Sequence, residues 1–170
     1  MHVKKTYICL EPGEHHPAMC VLEKYSEKIG HLNPTFKMIY DVRTLEALPS
    51  GMTNIDMREK ITARMKTYIM GDIRCILGYT YITEQAKRFF EGTSLKPVKI
   101  TVTGEEKSYK DNFMIYVPYS EMLHNMDELN AQDSLVFGPD ILKSKIIEDD
   151  DLDLALLMTI WYAYQDTEHA

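Results

Sequence analysis

The stretch Lys4 to Tyr25, KKTYICLEPGEHHPAMCVLEKY, decides the fold. Lys4 to Glu11 is an apolar run centred on Tyr7, Ile8, Cys9 and Leu10, and it reads as a β-strand. Pro12-Gly13-Glu14-His15-His16-Pro17 breaks it with turn residues. Ala18 to Tyr25 reads as a second strand, and the short link between the two predicts a hairpin. Phe36 to Arg43 (FKMIYDVR) is a third apolar run of the same kind.

Downstream the pattern changes. Pro49-Ser50-Gly51 ends the β section, and a helix is predicted from about Asn54 to Ile69. Met57, Ile61, Met65 and Tyr68 or Ile69 recur there at helical spacing. Ile73 to Leu77 (IRCIL) is nearly all apolar, as a strand buried on both faces must be. Thr83 is placed to cap a helix reaching Glu91, with Gly92 to stop it. Val98 to Thr103 is β-branched and alternating, and Phe113 to Val117 is a further extended piece. Ser120 is positioned to cap a helix to about Ala131. The last helix, about Asp151 to Tyr164, is apolar on most sides and should pack deeply. Three meandering strands followed by alternating helices and strands predict a mixed sheet covered by helices. Right-handed crossovers make the later strands parallel neighbours of the first.

Composition agrees with one domain over residues 1–170. The chain is 45% hydrophobic and 26% charged, which excludes a disordered or low-complexity protein. No apolar run reaches the roughly 18 to 20 residues of a membrane helix. Met1 to Leu10 lacks the apolar core of a signal peptide. Cys9, Cys20 and Cys75 lack zinc spacing and read as small core residues of a reduced, cytosolic protein. The net charge is -7. After Lys145 come seven acids and no Lys or Arg, and the rest of the chain balances at 19 against 19. That is no strongly basic nucleic-acid-binding domain.

Acids stand where chemistry is possible. Glu11 closes the first strand, and Asp149, Asp150 and Asp151 open the last helix. If that helix crosses the sheet, these carboxylates meet, and hard oxygen ligands suit Mg²⁺ or Mn²⁺. Two such metals would activate water and steady the leaving oxygen in phosphodiester cleavage. Acids in a first helical turn also serve simply as caps and dipole partners. His15 and His16 are either metal ligands or exposed turn residues. Trp161 reads as core. The 11 Met and 11 Tyr read as core filling, with an exposed subset available to a partner.

Four stretches in order resemble the nuclease domain of phage terminase large subunits. These are Tyr7 to Gly13 with Ala18 to Glu23, Tyr40 to Gly51, Pro97 to Gly104 with Val117-Pro118, and Asp149 to Leu156. The resemblance implies an RNase H-like α/β fold of about five strands flanked by helices, and a metal site built from Glu11, Asp150 and Asp151. It also exposes departures. Glu11 stands where the family usually holds Asp, which moves the oxygens by about one bond length. Gly78 stands where the central strand usually ends in Asp. Tyr79, Tyr81 and Ile82 replace small turn residues, and Tyr119 replaces a Lys. No phosphate-binding Gly-x-x-x-x-Gly-Lys-Ser/Thr stretch of a packaging motor occurs.

Three readings follow. In the first, cleavage is lost or weakened, and the protein acts through a protein partner in DNA packaging, virion assembly or regulation, in the host cytoplasm or the virion. In the second, it is an active Mg- or Mn-dependent endonuclease, with Asp72 or Asp149 replacing the missing ligand. In the third, its acids make it a decoy for a host DNA-binding protein.

Overall fold

The computed structural model describes residues 4–67, 72–82, 84, 86–92, 95–141 and 143–166. Its strands are β1 (Lys5–Glu11), β2 (Ala18–Ile29), β3 (Thr35–Ala47), β4 (Asp72–Gly78), β5 (Val98–Thr103), β6 (Tyr109–Asp111), β7 (Met114–Pro118) and β8 (Leu135–Phe137). Its helices are α1 (Asn54–Thr67), α2 (Tyr119–Ala131), α3 (Lys143–Glu148) and α4 (Asp150–Gln165). The strands form one sheet in the order β6-β7-β5-β4-β1-β2-β3-β8. β1 and β2 pair antiparallel as the hairpin requires, and β4 joins β1 in parallel after the α1 crossover. The sheet is larger than the expected five strands because short β6 and β8 extend its two edges.

β1 is buried along its whole length because helices or loops cover both faces of the sheet at its centre. Side chains alternate across it. Tyr7 and Cys9 enter the core beneath α4 and α2, while Ile8 and Leu10 enter a second core beneath α1. The same alternation sends Glu11 toward α4. On β4, Ile76 belongs to the α4 side and Cys75 and Leu77 to the other, so Gly78 also faces α4. Leu10 pairs with Leu77, which sets Glu11 beside Gly78 one step further along.

α4 is held at both ends. At its C-terminus the Lys24 ammonium donates to the carbonyls of Ala163 (2.5 Å) and Asp166 (3.2 Å), where cations stabilise a helix end. The Tyr7 hydroxyl donates to Asp166 Oδ2 at 2.8 Å. At its N-terminus the Asp149 side chain caps the helix by accepting from the N–H groups of Asp151 and Leu152. Between these anchors α4 buries Leu152, Leu156, Ile160, Trp161 and their neighbours, as its apolar sequence predicts.

Two local expectations change. Among the described residues, a 3-10 turn, Ala86–Arg88, stands where a helix was expected up to Glu91. The adjacent Phe89 and Phe90 both enter the second core, and that packing overrides local helical preference. α2 starts at Tyr119 behind an extended Pro118 with no side-chain cap, so Ser120 lies inside its first turn. On α1, Met57 and Ile61 are buried as expected. The Met65 side chain, Tyr68, Ile69 and the Thr83 cap lie outside the described residues.

Two features stand away from the cores. The distal part of the β2–β3 hairpin outruns the sheet and exposes Leu32, Phe36 and Met38. The β6–β7 turn consists of Asn112 and Phe113, both with positive φ (48° and 67°). Such two-residue turns favour Asn followed by Gly, and a bulky residue in left-handed backbone costs about 1 to 2 kcal/mol. No helix among the described residues is long and apolar enough to cross a membrane.

Candidate functional site

The turn between β1 and β2 folds back over the start of α4. Gly13 makes this possible: its φ of 75° suits glycine, and a Cβ there would stand 2.8 Å from the Asp151 carboxyl carbon. The backbone N–H of Glu14 then donates to Asp151 Oδ1 (2.8 Å), and those of His15 and His16 donate to Oδ2 (3.0 and 3.2 Å). Asp151 is 1% exposed and is tied into this loop as a clasp. Hydrogen bonds to a charged group contribute about 1.5 to 3 kcal/mol each, so the clasp holds the turn firmly.

His16 reinforces it. Its Nδ1 lies 2.8 Å from the Pro17 carbonyl and its Nε2 lies 2.6 Å from Asp149 Oδ2. Acceptors at both nitrogens favour the imidazolium, the form that can donate twice. Burial works against its charge, but the Pro17 carbonyl and Asp149 raise its pKa above 6.5. Burial likewise opposes the charge of Asp149, yet the Leu152 N–H and His16 hold its pKa below 3.8.

Glu11 sits deeper, with no exposed surface. Oε1 accepts from the Gly13 N–H at 3.1 Å. Oε2 has no hydrogen-bond partner among the described residues. Burial lifts the Glu11 pKa to about 7, against the Gly13 N–H and with a further push from the Asp151 charge. The carboxyl lies against Gly78: a Cβ there would overlap Glu11 Oε2 and come within 3.2 Å of Met158 Sδ. The longer Glu stem thus fills the space that a side chain on the central strand would need.

Of the expected ligands, Glu11 and Asp151 are brought to one end of the sheet, beneath the same turn. Asp150 is exposed and makes no part of the clasp. Asp72 cannot substitute: it opens β4, about 20 Å of strand from Gly78, and pairs with Arg74 at 3.0 Å. Asp149 does join the cluster. Among the described residues, His16, Asp149 and Asp151 place donor atoms within 4.8 Å of one another, close enough to share one metal ion. His16 was legible in the sequence only as half of a turn pair. Its position two residues before β2, at the Glu11 end of the hairpin, was the available signal. Tyr81 stands near the same acids: burial and the charges of Glu14, Asp151, Glu11 and Asp150 raise its pKa. Tyr119 donates its hydroxyl to Asp153 at 2.8 Å, an uncharged donor where the resemblance implied a Lys.

The donor set does not fit a two-metal centre. A carboxylate has about four lone-pair sites. Three N–H groups fill most of those on Asp151, and two N–H groups and His16 fill most of those on Asp149. Mg²⁺ needs near-octahedral oxygen ligation, and Gly78 supplies no side-chain oxygen. Among the described residues, Glu11 Oε2 is the buried oxygen of this cluster that has no hydrogen-bond partner.

No family model and no curated protein matches the chain. Among solved structures, the human cytomegalovirus terminase nuclease domain matches with a TM-score of 0.55 at 11% identity, over 94% of this chain and 83% of that one. Likeness at that identity is a likeness of fold. Together with the sheet order and its flanking helices, it identifies the architecture as an RNase H-like α/β fold.

Proposed function

We propose that this is a terminase-nuclease-like viral protein whose two-metal cleavage is lost. It serves packaging, virion assembly or their regulation by binding a protein partner, in the host cell or the virion. The observation that carries this reading is the Glu11–Gly78 pair. One carboxylate occupies the place of two, and it sits in a site that favours its protonated form. Asp151 supports it, because its oxygens hold a loop together.

A second reading has one observation in its favour. The orphaned Glu11 Oε2, near the Asp151 charge, is a free donor atom for a single Mg²⁺ or Mn²⁺ in a weakened endonuclease. Such an ion would supply Lewis-acid chemistry, and Glu11 with Asp151 would hold it.

Mn²⁺ titration by calorimetry, with plasmid nicking by the wild type and the Asp150→Asn/Asp151→Asn double variant, separates the two. The first reading expects no saturable binding and no nicking at millimolar metal. Nicking that the double variant abolishes would overturn it in favour of the second.

A further inference from the structure

The second core stops at β4: none of its members comes from β5, β6 or β7. On those strands Ile100 and Val117 enter the first core, so alternation turns Lys99, Thr101, Met114 and Tyr116 to the opposite face. α1 packs in the second core and α2, α3 and α4 in the first, so none of these four helices covers that face. Tyr109 lies flat on Tyr116 there, with ring centroids 4.6 Å apart and planes within 7°.

Beside this platform is an open groove of about 440 Å³ with an apolar floor. Tyr79, Lys96, Lys99 and Phe113 are among its walls, and the Lys99 ammonium lies 5.4 Å from the centre of the Tyr79 ring. Among the described residues, the lining carries three lysines against the single acid Glu91, in a chain of net charge -7. One of them, Lys87, is tied to Glu84 at 2.8 Å. Phe113 is the least expected feature. It is 86% exposed and sits in left-handed backbone, so it costs strain without burying its ring in the fold.

We infer that this face binds single-stranded nucleic acid, with bases stacked on Phe113 and the Tyr109–Tyr116 pair and phosphates met by Lys96 and Lys99. A single strand alternates flat rings with anions, and exposed aromatics interleaved with lysines are its complement. An acidic peptide would satisfy the lysines but would leave the exposed rings and the strained Phe113 without a role. Glu105 and Asp111 lie near Tyr109, so stacking contributes more than charge, and the contact tolerates any sequence.

Anisotropy of a fluorescent oligothymidylate of about 12 nucleotides, measured in EDTA, tests this. Because EDTA removes divalent metal, failure here leaves the reading of the carboxylate site untouched. Saturable binding is expected. Phe113→Gly should weaken it about five-fold or more while leaving the melting temperature unchanged or higher, since glycine relieves the turn. Two phosphate contacts predict about a seven-fold loss of affinity from 50 to 200 mM salt, and Lys96→Gln/Lys99→Gln should flatten that slope. Absence of saturable binding, or unchanged affinity in Phe113→Gly, would overturn the inference. So would equal affinity for a labelled polyglutamate, which would assign the face to an acidic protein.

Discussion

Glu11→Gln removes one proton equilibrium and little else. Glutamine has the same shape, keeps an oxygen for the Gly13 N–H, and cannot ionise. In the wild type the Glu11 pKa moves from 4.5 to about 7, chiefly through burial. For an acid whose folded pKa lies above its unfolded value, the protonated form favours folding. That contribution is complete below pH 4.5. It declines as pH rises from 4.5 to 7, where the unfolded chain has lost the proton and the folded chain keeps it. Above 7 it is gone. At 1.36 kcal/mol per unit the wild type forfeits about 3 kcal/mol across this window. The variant should therefore match the wild type near pH 4.5 and exceed it by about 3 kcal/mol above pH 8. Urea unfolding of both proteins across this range reads the difference directly, because every other titrating group is common to both. A flat difference would refute the argument: it would mean that water or an ion reaches Oε2 and keeps the carboxylate charged. Millimolar Mn²⁺ gives a second arm, since an ion bound at Glu11 would erase the wild-type slope and leave the variant unaffected.

Gly78→Ala should lower stability by about 1 to 3 kcal/mol, because the new methyl overlaps a fully buried carboxylate. Adding Glu11→Ala should restore part of that loss, and strict additivity in the double-variant cycle would contradict the overlap. His16 should titrate above 6.5 by NMR, and Asp149→Asn should bring its midpoint back toward 6.5. The stability it contributes is full below 6.5 and lost as pH rises through the folded value, so an unshifted midpoint would dismiss the imidazolium. Asp151→Ala orphans three N–H groups and should cost about 3 kcal/mol or more in urea unfolding. Exposed Asp150→Ala should stay within about 0.5 kcal/mol, and similar losses in the two would remove the case for a clasp.

The architecture was readable because its signals are local. The apolar run of β1, the Pro/Gly turn and the alternation of Val98 to Thr103 each report their own strand. The segment before Glu91 misled because its decisive contacts, those of Phe89 and Phe90 in the second core, are remote in sequence. β6 and β8 were missed for a related reason: three residues are too few to show a period. At the site, the departures Glu11 and Gly78 were visible one at a time. Their mutual fit was not, because it depends on a strand register bridging 67 positions. The roles of Asp151 and His16 depend on backbone N–H directions in a turn, which residue types do not encode.

The anchoring of α4 has a kinetic side. Tyr7 meets Asp166 across 159 positions, and the core beneath α4 draws Tyr7, Cys9, Ala18, Cys20, Leu22, Tyr40 and Val42 from the first three strands. Closing so long a loop is slow relative to forming the β1–β2–β3 meander, which needs only neighbouring residues. During refolding the meander should therefore exist for a time with Cys9, Cys20 and Leu22 facing water, a surface prone to self-association. Chains cut before Asp149 would be held in that state, and their yield of monomer should fall as their concentration rises.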